Sequence, residues 1–119
     1  MKFEEMEVWK RSARLSAELY KHFSGCNDFG FRDQITRSGL SVPNNIAEGA
    51  ERESKKDFIR FLQYAKGSCG ELRTQLYIGM DVGYIPLEQG KLWLKETREL
   101  SAMLVGFTNS IRNQLNTEG

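Results

Sequence analysis

Phe58, Leu62, Ala65, Cys69, Leu72 and Leu76 follow one another at intervals of four, three, four, three and four residues. A strand would throw such residues onto both faces, whereas a helix lines them along one. The spacing predicts an amphipathic helix that must bury its seam against other helices at a shallow crossing angle. Ser54 with Asp57 resembles a capping box for its start, with Asp in place of the usual Glu. Gly83 and Pro86 supply its stop, so the helix is expected over about 54–83.

The same rhythm recurs. Leu87, Gly90, Leu94, Thr97, Ser101, Leu104, Thr108, Ile111 and Leu115 form a seam over 87–116, widened by Trp93, Leu100, Met103 and Phe107. Near the start, Trp9, Ala13, Ser16, Tyr20 and Phe23 join a stripe of Val8, Ser12, Leu15 and Leu19. Together they give one broad face over about 4–23, with Lys10, Arg11, Arg14 and Glu18 turned mostly away. Ile35, Ser38, Val42 and Ile46 keep phase on both sides of Pro43, which predicts one kinked helix over 29–50. The proline ring presses on the carbonyl four residues back, and that residue is Gly39, the most adjustable backbone available. The alternative makes Ser41 the cap of a new short helix with Pro43 in its first turn.

Four such segments joined by short breaks predict an all-α chain, one antiparallel up-down four-helix bundle over 1–119. Two glycines interrupt the third helix in "AKGSCG". Each costs roughly 1 kcal/mol of helix propensity, so Gly67 and Gly70 are expected to admit a closely packed neighbour.

Several chemistries lack their residues. A di-iron site wants Glu-x-x-His on two helices, and the single histidine, His22, has its nearest upstream carboxylate, Glu18, four positions away. His22 is read as a surface residue near a helix end. Cys26 and Cys69 have no zinc spacing and are read as reduced thiols of a cytoplasmic protein. No phosphate-binding glycine loop is present, and no stretch has the apolar length of a membrane span or the pattern of a leader. No catalytic residue, metal ligand or cofactor is therefore assigned.

Polarity crowds the seam in "SVPNNIAEG". Asn45 is expected to cap backbone groups freed by Pro43, and Glu48 to pair with a base on another helix, Arg60 being the candidate. Gly49 closes the motif. The competing reading makes this stretch a recognition site.

The stretches "FEEMEVWKRSARLSAELY", "QITRSGLSVPNNIAEGAERESKKDFIRFLQYAKGSCGELRTQL" and "GYI" resemble the bacterial four-helix-bundle proteins encoded by intervening sequences of 23S ribosomal RNA genes. The likeness covers nearly the whole chain. It implies ring-shaped homopentamers without established catalytic residues. A related branch, the accessory variability determinant of diversity-generating retroelements, is a basic pentamer that binds a reverse transcriptase and nucleic acid. Two departures stand out: Asn44 replaces a frequent serine, and this chain carries a formal charge of only +1 from 17 basic and 16 acidic side chains. Near-neutrality weakens any transfer of nucleic-acid binding.

Local features still offer contacts. Lys10, Arg11 and Arg14, and then Lys55, Lys56 and Arg60, are the candidate clusters for RNA or DNA. Ile59, Phe61, Tyr64, Trp93 and Phe107 lie beside the seams and are the candidates for an interface between copies; a wide core in a monomer is the alternative. The function expected is a non-enzymatic, self-assembling adaptor for a protein or nucleic-acid partner. Its rival is a small ligand-binding bundle or enzyme built from scattered acids and amides.

Overall fold

The computed structural model describes residues 2–118. A single 3-10 turn, Phe3–Glu5, leads into four α-helices: α1 (Glu7–Phe23), α2 (Phe29–Ala50), α3 (Lys55–Asp81) and α4 (Leu87–Glu118). The described residues contain no strand.

Each boundary has a local cause. The Asp28 side chain accepts the Phe31 amide at 3.0 Å to open α2, and Ser54 accepts that of Asp57 at 3.2 Å to open α3. Gly83, at φ +83°, terminates α3. The Tyr84 amide there donates to the Gly79 carbonyl at 2.8 Å and the Gly83 amide to that of Met80 at 3.3 Å. Those two bonds are the Schellman closure, which satisfies carbonyls the helix end would leave open. Helix α2 runs unbroken through Pro43, so no second helix starts at Ser41.

Contacts pass from α1 to α2, α2 to α3, α3 to α4 and back from α4 to α1. Pairings between α2 and α3 run in opposite order: a Cβ on Gly49 would meet Phe58 and Phe61, while one on Gly79 would meet Phe31. The assembly measures 52 × 21 × 20 Å. Its core takes Leu19, Ile35, Ile46, Leu62, Leu72, Leu76 and Leu100, all sealed from solvent. Burying each such side chain contributes about 2 kcal/mol, and that gain, more than propensity, holds the helices.

Leu62, Ala65, Cys69, Leu72 and Leu76 of the α3 seam are buried as its spacing predicts, Phe58 is half-buried, and Leu94, Thr97, Leu104, Thr108 and Ile111 of α4 join them. Leu87 departs from the pattern and lies exposed at the start of α4. The glycines also depart from expectation. A Cβ at Gly67 would touch nothing within 4 Å, and one at Gly70 only the Arg73 guanidinium at 4.0 Å. Both sit on the side of α3 turned from the core. Close approach occurs instead at Gly39, against Leu19, and at Gly49, against Phe58 and Phe61.

Candidate interaction site

The first basic cluster is divided by its partners. Arg11 turns inward, not away. Its Nε donates to Glu96 Oε2 at 3.0 Å, and its Nη2 donates to both Glu96 and Glu99, the latter at 2.9 Å. The two carboxylates push the Arg11 pKa further up, and Arg11 holds Glu99 below the usual carboxylate range. This residue ties α1 to α4 and is not offered to a phosphate. Lys10 faces Glu7 at 3.8 Å, while Arg14 is exposed. In the second cluster Arg60 faces Asp57 at 3.3 Å and lies 5.3 Å from the Phe61 ring centre. Lys56 is exposed, and Lys55 lines a groove with Met6, Phe58 and Phe107.

The apolar candidates separate just as clearly. Trp93 is 3 % exposed and donates its indole N–H to Glu18 at 2.9 Å, so it closes the α1–α4 seam. Ile59 is buried too. Phe107 packs edge-on against Phe58 at 5.3 Å. In the protomer these three are occupied by its own core, because four helices enclose more apolar surface than one stripe each. Phe61 and Tyr64 remain as an outer pair, ring centres 5.5 Å apart, with the Arg52 guanidinium over Phe61.

In the proline motif, Pro43 is buried. Asn45 Nδ2 donates to the Ser41 carbonyl at 2.8 Å and to the Ser41 hydroxyl at 3.0 Å. The capped carbonyl is therefore that of Ser41, not the Gly39 carbonyl that Pro43 deprives of a donor. Ser41 and Ser68 hydroxyls are 2.8 Å apart, which extends the network from α2 to α3. Glu48 pairs with Arg52 at 2.7 Å, one turn on, and not with Arg60. The i,i+4 partner is nearer than any on another helix.

Other ties had no clear sequence signal. Arg73 donates to the Ser101 hydroxyl at 2.8 Å, joining α3 to α4 beside Cys69, whose thiol is pushed up by burial. At the bundle end, Tyr84 donates its hydroxyl to Asp28 at 2.8 Å, and the exposed His22 ring meets the Tyr84 carbonyl at 2.9 Å. The Phe31 amide and the Tyr84 hydroxyl hold Asp28 below the usual carboxylate range. A cleft of about 410 Å³ opens there, lined by His22, Cys26, Asp28 and Tyr84. No group of three His, Cys, Asp or Glu side chains converges as a metal site among the described residues. Among the described residues, no helix is long and apolar enough to cross a membrane.

Polar ties join α1 to α4, α2 to α3 and α3 to α4, and the core between them is largely aliphatic and aromatic. The molecule is an all-α helical bundle whose distinctive features lie on its surface. Residues 4–106 match the family model described as 23S rRNA-intervening sequence protein, and the chain belongs to that family. A crystal structure of a protein of unknown function from the S23 ribosomal protein family of Bacteroides thetaiotaomicron is similar, with a TM-score of 0.79 at 27% identity. That match covers 85% of this chain and 97% of the other. Among curated proteins, none matches.

Proposed function

We propose that the chain is a non-catalytic, self-assembling bundle, a cytoplasmic homopentamer that serves as an adaptor for a macromolecular partner. The observation that carries this reading is the apolar surface the protomer leaves uncovered: Leu92 is 64 % exposed, and Phe29, Tyr64, Tyr77, Val82 and Leu87 are each more than half exposed. Spread over α2, α3 and α4, they provide the unlike faces that a closed ring requires. The five-fold number comes from the family resemblance.

A protein partner is favoured over nucleic acid, because Lys10, Arg11 and Arg60 already face carboxylates. Phosphate contact would fall to Arg14 and Lys56, or to Lys91, Lys95 and Arg98, exposed in successive turns of α4. The ligand-binding or enzymatic alternative finds little support. The shifted groups Arg11, Asp28, Cys69, Tyr84 and Glu99 each have a structural cause in a helix tie, a cap or burial.

Native mass spectrometry tests the reading. Five copies are expected, and fewer for Leu92→Glu; a single copy at every concentration would overturn it.

A further inference from the structure

Every lysine and arginine of the chain has a carboxylate three or four residues away except Lys66, Arg73, Arg98 and Arg112. Arg73 is taken by the Ser101 hydroxyl and Arg98 by that of Tyr77. Lys66 and Arg112 are left, and among the described residues neither has an ion pair or a side-chain hydrogen bond. Both border one cleft of about 140 Å³ between α3 and α4.

The cleft changes character with depth. Leu62, Leu104 and Thr108 are buried and form its floor. Lys66 and Arg112 are exposed at its mouth, together with the amides of Gln63 and Asn109. In a chain of formal charge +1, two uncompensated cations above an apolar floor suit an anion that carries an apolar group.

We propose that this cleft receives the C-terminal residue of the protein partner, with an aliphatic side chain on the floor and the free carboxylate between Lys66 and Arg112. The proposal rests on the partner being a protein, and it names the part of that partner which is recognised. The order of chemistry from floor to mouth selects this occupant. An aspartate or glutamate side chain enters carboxylate first, which carries its charge past both cations onto leucines at a desolvation cost. A chain-terminal leucine does the reverse: its side chain leads and its carboxylate stays level with the mouth. The Arg112 fork matches a carboxylate with two parallel bonds, and Lys66 adds a point charge. Gln63 and Asn109 offer both donors and acceptors to the last peptide group.

Size agrees with that choice, since a cavity of about 150 Å³ holds a benzene-sized group and a leucine side chain is no larger. A nucleic-acid phosphate would use the cations and leave the floor empty, because a phosphodiester carries no apolar branch of its own. None of the cleft residues is among those assigned to the ring, so assembly and capture use different surfaces.

Methyl NMR of the whole protein, labelled at leucine and valine, reads the site through Leu104 and Val105, which also lines the cleft. The probes are acetyl-Gly-Ser-Leu with a free carboxylate, the same peptide amidated, acetyl-Gly-Ser-Gly with a free carboxylate, hexanoate and a short oligouridylate. The leucine acid should shift both methyl groups saturably, and amidation or loss of the leucine side chain should each weaken binding about tenfold or more. Lys66→Gln and Arg112→Gln should each weaken it about tenfold, while Lys91→Gln, elsewhere on α4, should leave it unchanged. Equal binding of the amidated peptide, or no shift at millimolar peptide, overturns the proposal. Hexanoate binding as tightly as the peptide would make the cleft a small-molecule site, and the oligouridylate shifting the same methyl groups would make it a phosphate site; either result also overturns it. The two readings fail separately. A monomeric mass overturns the assembly without touching the titration, and a failed titration leaves the copy number as it is.

Discussion

Exchanging glycine for alanine at two positions separates tight from open helix faces. At Gly49, an added Cβ would lie 2.8 Å from Phe61 Cβ, 2.9 Å from Phe58 Cδ1 and 3.3 Å from the Phe58 carbonyl oxygen. Carbon contacts are ordinarily about 3.5–4.0 Å. None of the three atoms is the loose end of a flexible chain, so relief requires α2 and α3 to part. Overpacking of this kind costs about 1–3 kcal/mol. Alanine returns at most about 1 kcal/mol of helix propensity, and less beside the helix end, so Gly49→Ala should lose about 1–2 kcal/mol. At Gly67 the same methyl meets nothing within 4 Å. Gly67→Ala should therefore gain up to about 1 kcal/mol. For a chain of this size each kcal/mol moves Tm by about 3–5 °C, which puts the two variants roughly 6–15 °C apart. Urea and thermal unfolding by far-UV circular dichroism would measure the gap. Equal tolerance at the two positions would refute the assignment of Gly49 to a tight crossing.

Arg11→Met should cost about 1 kcal/mol, the low end for hydrogen bonds to charged groups because the cluster is partly exposed. Since Arg11 holds Glu99 below its ordinary range, this contribution is present above the pKa of an unfolded glutamate and fades as pH falls through the depressed folded value. Urea midpoints followed from neutral into acid should fall less steeply in the variant than in the parent; parallel curves would contradict the tie. Ser41→Ala removes the hydroxyl shared by Asn45 and Ser68, and chemical unfolding should register a loss of about 1 kcal/mol. An unchanged midpoint would make that network idle. Thiol titration with an aromatic disulfide should find Cys26 in the native protein and Cys69 only after unfolding, because burial keeps the latter protonated and shielded. Two fast thiols would argue against a closed α3–α4 seam.

The helices were legible because their evidence is local. Intervals of three and four fixed α3 and α4, Ser54 and Gly83 marked ends by chemistry that acts within one turn, and the phase kept across Pro43 distinguished one helix from two. Partners across the bundle were less legible. Arg11 stands beside Lys10 and near Arg14 in the chain, yet its guanidinium reaches Glu96 and Glu99 some eighty-five residues on, a pairing no spacing rule announces. Glu48 had a partner within reach at Arg52, and proximity along one helix outweighed a longer-range pair with Arg60.

The glycines show the same limit. Sequence identifies a residue that weakens a helix, but not which way it faces: Gly49 points into a neighbour and Gly67 into open space. Trp93 and Ile59 were legible as apolar, while their enclosure by the protomer depended on how far four stripes wrap one another in a bundle only 20 Å across.

Sedimentation equilibrium over a wide range of concentration tests most directly whether sister chains cover what one chain leaves bare. The mass should rise in whole multiples of 13.7 kDa and settle well above one. A constant 13.7 kDa at every loading would contradict the account.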